Sequence, residues 1–177
     1  MSLKLQSILK GSQIIDKIFW EILKLLRTRN GLTELILARQ IRRLAKDMGA
    51  TGMAFPPIVS FGASSAEIHH SPSNKKIDRQ NFLMLDYGVK VKGYCSDFTR
   101  TLFLGRPTKY QKKIYNIVVE AQLAAIKKIK IGVDCVDIDL TARNIIAKAG
   151  LAKYFNHSTG HAVGRILFPA ARRKYAG

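Results

Sequence analysis

The chain has 177 residues, 47% of them hydrophobic, which is enough for one domain with a sizeable core, and its 30 Lys and Arg against 12 Asp and Glu give a net charge of +18. Two cysteines, Cys95 and Cys135, make neither a disulfide framework nor a zinc-ligand cluster and point to a reducing cytoplasm. Lys4, Lys10, Asp16 and Lys17 interrupt any apolar stretch near the start, and no run approaches the ~20 residues of a membrane span, so neither signal peptide nor membrane anchor is expected. The basic residues are dispersed in small groups, such as Arg39 with Arg42 and Arg43, or Lys127, Lys128 and Lys130. That pattern suits solvated helix faces, and with no zinc-finger, helix-turn-helix or aromatic-stacking signature, specific nucleic-acid recognition is not expected.

Taken in order, the first predicted helix runs from about Leu5 to Leu26, with Leu5, Ile8, Leu9, Ile15, Ile18, Phe19, Ile22 and Leu26 near helical spacing. A second starts near Thr33 and stops before Gly49. An apolar segment, Ala54-Phe55-Pro56-Pro57-Ile58-Val59, then leads to His69 and His70. Next comes a predicted hairpin, Phe82 to Gly88 returning through Tyr94 to Leu104. If its turn is centred between Val91 and Lys92, Asp86 and Asp97 oppose each other across the strands. Like charges so placed destabilise a sheet unless a proton or a cation lies between them, and a divalent metal is the economical explanation. The plainer alternative makes one aspartate a turn or edge residue, with Arg100 as partner for the other. Against it, Asp86 ends a run of four apolar residues, where charge is rarely placed without a partner.

A third helix is predicted to begin at Thr108, where Thr108 and Gln111 form a capping-box pattern, and to end in Lys127, Lys128 and Lys130 before Gly132. A fourth runs from about Cys135 to Ala149 and closes at Gly150. The two helix pairs repeat with a shift of 101: Gly31 maps to Gly132, Leu32 to Val133, Arg42 to Arg143 and Gly49 to Gly150. The same shift places a second hairpin beyond Gly177, so the second half is expected to be incomplete.

These segments resemble the pita-bread metallopeptidases, which include proline-specific aminopeptidases, prolidases and methionine aminopeptidases. The resemblance rests on Ala54 to Val59 leading to His69-His70-Ser71-Pro72, on Leu85-Asp86-Tyr87-Gly88, on Lys92-Gly93-Tyr94-Cys95-Ser96-Asp97-Phe98-Thr99-Arg100-Thr101, and on His157-Ser158-Thr159-Gly160-His161-Ala162-Val163-Gly164. The stretch from Gly93 to Thr101 is most similar to the Xaa-Pro aminopeptidase branch. The resemblance implies an α+β pita-bread fold of duplicated helix pairs and antiparallel sheets, spanning residues 1–164, with 165–177 a divergent basic tail. It implies that Asp86 chelates one metal, that Asp97 bridges both, and that His161 binds the other, for a pair of divalent ions such as manganese, cobalt, iron or zinc. It implies catalytic roles for His69, near the cleaved bond, and for His157, near the substrate's N-terminal side or the oxyanion. His70 reads as a surface or capping residue that does not act.

The implied activity is hydrolysis of N-terminal Xaa-Pro bonds by a metal-activated water, with a peptide bearing proline at its second position as substrate. The family's two glutamate ligands have no counterpart here, and its further histidine falls at Phe168, so the chain alone is expected to be impaired or inactive. Sheet edges left by an absent hairpin would favour a swapped or intertwined homodimer. The alternative is a non-catalytic module of the same fold that binds acidic partners or nucleic acid, which the charge favours. Asp86, Asp97, His69, His157 and His161 in family order weigh against it.

Overall fold

Ser2 opens the first helix, α1 (Leu3–Thr28), where its hydroxyl accepts the Leu5 N–H. The stripe Ile14, Ile15, Ile18 and Ile22 returns at helical spacing, and all four are at most 3% exposed. Thr33 caps α2 (Glu34–Asp47) by accepting the Ile36 N–H, and Leu37, Ala38, Ile41 and Ala45 form its buried face. The computed structural model describes residues 1–78 and 80–165. No helix among them is long and apolar enough to cross a membrane.

Six strands follow: β1 (Gly52–Met53), β2 (Ile58–Phe61), β3 (Asn81–Tyr87), β4 (Val89–Val91), β5 (Tyr94–Cys95) and β6 (Phe98–Leu104). They form two antiparallel three-stranded sheets, ordered β1-β4-β5 and β2-β3-β6. Strand alternation sorts the side chains of β3. Leu83, Leu85 and Tyr87 are fully buried and join Val59, Phe61 and the α1 and α2 stripes in one core, whereas Phe82, Met84 and Asp86 lie on the opposite face and are half-buried.

The hairpin expected around the aspartates is present, but its register differs from the one that opposes Asp86 to Asp97. Tyr87 pairs with Phe98 and Lys90 with Cys95, so Lys92 and Gly93 are the turn residues and Asp86 stands opposite Thr99. Turn chemistry explains the shift. A two-residue hairpin loop of this hand needs positive φ at both positions, and Lys92 and Gly93 adopt φ of 49° and 79°. The hairpin is also divided, because β3 passes into β4 at Gly88, where the backbone changes sheets. A Cβ at Gly88 would sit 2.1 Å from the Ser96 carbonyl oxygen, a contact that only glycine permits. Ser96 donates its N–H to Val89 O at 2.9 Å beside this crossing, and Cys95 donates to Gly164 O at 2.8 Å.

Two compact units emerge: Met1–Arg106 with the segment starting at Val163, and Pro107–Ala162. In the second, Thr108 caps α3 (Lys109–Lys128) through the expected capping box with Gln111, and Asp134 caps α4 (Cys135–Lys148). Ala121, Ala125, Ala142 and Ile146 form its small core. The shift of 101 holds element for element: Glu34 and Asp47 bound α2 as Cys135 and Lys148 bound α4, and Thr33 caps the one as Asp134 caps the other. The flanking glycines correspond in conformation too, at φ 70° and 85° for Gly31 and Gly49 and 84° and 76° for Gly132 and Gly150. The basic tail expected over 165–177 lies, apart from Arg165, outside the described residues.

Replacing Gly88 by Ala is expected to lower stability by about 2 kcal/mol or more, because the colliding atom is backbone and cannot swing away. Urea denaturation of the variant checks this, and an unchanged midpoint would contradict it.

Candidate functional site

Asp86 lies on the central strand of its sheet, paired with Ile58 on one side and Thr99 on the other. The Thr99 hydroxyl donates to Asp86 Oδ1 at 3.1 Å. Asp97 precedes Thr99 by two residues, just outside β6, so carrying the alternation of β6 back to it places it on the face of Asp86. Diagonal partners across antiparallel strands stand roughly 7–8 Å apart between Cα atoms, within joint reach of one ion. Both aspartates are half-buried. Arg100, weighed as a counter-ion, belongs to the other face: it pairs with Leu85, lays its guanidinium 4.0 Å from the Phe98 ring centroid, and donates to Thr99 O at 2.8 Å. Ser60, opposite Met84, shares the carboxylate face; its hydroxyl is buried and has no hydrogen-bond partner among the described residues.

This donor set fits a metal in part. Two hard carboxylates from adjacent strands suit a divalent cation. Among the described residues, however, no group of three or more His, Cys, Asp or Glu is placed to hold one.

The histidines divide between the units. His69 is exposed and belongs to the unit of the aspartates, whereas His157 and His161 belong to the other, in irregular backbone rather than on a helix. Nδ1 of His157 lies 2.8 Å from Ser158 O, and its ring packs edge-on against Phe155 at 4.9 Å. Nδ1 of His161 lies 3.1 Å from Ala162 O. A carbonyl oxygen only accepts, so Nδ1 carries the hydrogen in both, and in a neutral ring Nε2 bears the lone pair. Metal-binding histidines commonly have this arrangement.

Two carboxylates that sequence reasoning missed hold these histidine segments. In the first unit, Glu34 is fully buried at the start of α2. It accepts from Phe61 N–H at 2.8 Å, from Ser73 N–H at 3.1 Å and from the Ser73 hydroxyl at 2.8 Å. Nε2 of His70 lies 2.9 Å from it, so His70 is not the surface residue expected, its side chain being only 11% exposed. Burial alone would push the Glu34 carboxyl up, but hydrogen bonds from His70, Ser73 and Phe61 overcome this and hold it below its ordinary value. In the second unit, Asp139 accepts from Thr159 N–H and hydroxyl, each at 2.8 Å, and pairs with Arg143 at 3.0 Å. Arg143 in turn donates to Phe155 O at 2.8 Å and to His157 O at 2.9 Å. Burial again raises the Asp139 carboxyl, and the bonds from Arg143 and Thr159 outweigh it and lower it. One sequence signal was available: Arg143 is the residue matched to Arg42 by the repeat, yet it alone of the two is ringed by an acid and a following loop.

Comparison with known proteins bears on this arrangement. A model of metallopeptidase family M24 matches residues 6–173. An uncharacterized peptidase of Staphylococcus aureus strain USA300 is 37% identical over 161 residues, covering 91% of this chain and 45% of its own. The Xaa-Pro dipeptidase from Bacillus anthracis superposes with a TM-score of 0.90 at 37% identity, over 96% of this chain and 47% of that one. A recombinant prolidase from Thermococcus sibiricus superposes at 0.87 and 39% identity, over 92% and 44%. The chain thus has the pita-bread fold expected from its motifs, and it spans about half the length of the relatives it matches.

Glu34→Gln keeps the shape but turns an amide N–H₂ against hydrogen-bond donors, so a loss of about 1–3 kcal/mol is expected in chemical denaturation. The acid limb of stability should change as well. Because the folded value of Glu34 lies below the ordinary 4.5, its contribution is complete above that value and is lost as pH falls through the lower folded one. Thermal melts towards acid pH should show a shallower decline in the variant, with Asp139 supplying the remainder. Superimposable acid limbs would contradict the assignment.

Proposed function

The chain belongs to metallopeptidase family M24, and from that membership we propose that its aspartate hairpin is the carboxylate half of a metal centre serving hydrolysis of N-terminal Xaa-Pro bonds. The observation that carries the reading is the common face of Asp86 and Asp97, set by a register that sends every odd-numbered β3 side chain from Leu83 to Tyr87 into the core. The proline preference is supported by the segment from Gly93 to Thr101 and by structural neighbours named as a prolidase and an Xaa-Pro dipeptidase.

In this reading Asp86 and Asp97 hold divalent metal, manganese among the candidates, and His161 supplies the imidazole donor through Nε2. Thr99 orients Asp86 by donating its hydroxyl to Oδ1, which would fix the carboxylate that holds the metal. His69 contacts the substrate near the bond to be cleaved, and His157 serves its N-terminal side or the oxyanion. Two carboxylates and one imidazole are a sparse donor set for a divalent pair, so these residues alone turn over Xaa-Pro peptides negligibly. The protein works in the cytoplasm.

Calorimetric titration of Mn²⁺ into the metal-free chain tests the assignment. Asp97→Asn is expected to abolish binding, and Thr99→Val to weaken it about tenfold with the fold intact. Binding unaffected by Asp97→Asn would sink the proposal. Robust metal-stimulated hydrolysis by the purified chain would refute the claim that its donors are insufficient.

A further inference from the structure

His70 is the member of the histidine pair to which the peptidase reading assigns no role, yet its ring has a partner on each side. Nε2 lies 2.9 Å from Glu34 Oε2, and Nδ1 lies 2.9 Å from Glu67 Oε2. An ionised carboxylate only accepts hydrogen bonds. Two such partners at the two ring nitrogens therefore need hydrogen on both, which the imidazolium has and the neutral ring lacks.

The consequence of losing one hydrogen falls unequally. Glu34 keeps three other donors, from Phe61 and Ser73, and stays fixed without His70. Glu67 is a 67% exposed side chain, tied otherwise by its backbone, whose N–H donates to Ser64 O at 3.0 Å. It also accepts the His70 N–H at its carbonyl, at 3.3 Å, which closes a turn with His69 inside it.

We propose that His70 is a positioning residue for His69: bridging Glu34 and Glu67 as an imidazolium, it closes the Glu67–His70 turn onto α2 and fixes the backbone that carries His69. The proposal rests on the reading of His69 as a residue that contacts substrate. Burial on its own would lower the His70 value, but the hydrogen bonds and negative charges of Glu34 and Glu67 outweigh it and raise the value above the ordinary 6.5. The bridge is therefore complete below 6.5 and is lost as pH rises through the higher folded value. Glu34, from α2, and Glu67, on the same segment, are the charges that act on the ring. Lys75 joins the network farther along, with its ammonium bound to Phe61 O at 2.6 Å and the Ser64 hydroxyl at 3.0 Å. Deprotonation frees the Glu67 side of the bridge and loosens His69, so substrate contact through His69 weakens as the solution becomes alkaline.

The test is nitrogen-15 and amide NMR of the whole metal-free chain from mildly acidic to mildly alkaline pH. Below the ordinary histidine value both His70 ring nitrogens should carry hydrogen, the midpoint should lie above that value, and the Ile68 and His69 amides should follow that midpoint. Glu67→Gln alters an exposed side chain, leaves the core intact, and should lower the midpoint. His70→Asn should delete that component from the His69 amide. A His70 midpoint at or below the ordinary value, or Ile68 and His69 amides blind to it, would overturn the proposal. No metal or substrate enters this experiment, so its failure is distinguishable from failure of the peptidase reading, which appears as Mn²⁺ binding indifferent to Asp97.

Discussion

The approach of Gly88 to the Ser96 carbonyl is the constraint on which the rest of the first unit depends. A side chain there would stand 2.1 Å from a backbone oxygen, so the two strands cross only because position 88 has none. The crossing lets one hairpin contribute to two sheets while keeping a continuous register from Tyr87–Phe98 to Lys90–Cys95. Register in turn decides chemistry, since a slip of one residue would exchange the faces. Leu85 and Tyr87 would leave the core, and Asp86 would be driven into it at a cost of several kcal/mol. The metal-binding face proposed for this protein is thus the remainder after the core has taken its alternate positions.

Both units solve a second problem in the same way. The segments that carry the histidines are polar and irregular, with little apolar surface to bury, so packing cannot hold them. Each is instead tied to the second helix of its pair by a carboxylate: Glu34 at the start of α2, where the exposed N–H groups favour negative charge, and Asp139 one turn further into α4. Glu34 at the head of α2 reaches Phe61, His70 and Ser73, and Asp139 in the first half of α4 reaches Thr159 and, with Arg143, the carbonyls of Phe155 and His157. Such ties are satisfied polar networks, stiff while intact and costly to leave half-made. They tie the segments that carry His69 and His157 to the helix of the same unit.

Much of this was legible in the sequence because it is local. The Thr108–Gln111 capping box, the start of α2 at Thr33, and the glycines that end α2 and α4 act within a few residues, and the repeat of 101 is a property of order and length. The aspartates were legible as a pair, because an acid that ends an apolar run demands explanation. Their exact opposition was not, since that reading centred the turn on the carboxylates instead of on the two positions, Lys92 and Gly93, able to take positive φ. Glu34 was invisible for a different reason: at the first position of a helix an acid looks like an ordinary dipole partner, and its bonds to Ser73 join residues 39 apart in the chain. His70 was misread by the same blindness to distant partners, with Glu34 lying 36 residues away.

The central claim is that divalent metal binds on the Asp86 and Asp97 face of the hairpin. The most direct measurement is paramagnetic broadening of the chain's amide spectrum by substoichiometric Mn²⁺. Broadening centred on Asp86, Asp97 and Thr99 is the result the account predicts. Broadening centred on Glu67, or spread over Asp134, Asp137 and the other acids of α4, with the hairpin amides left sharp, would contradict it.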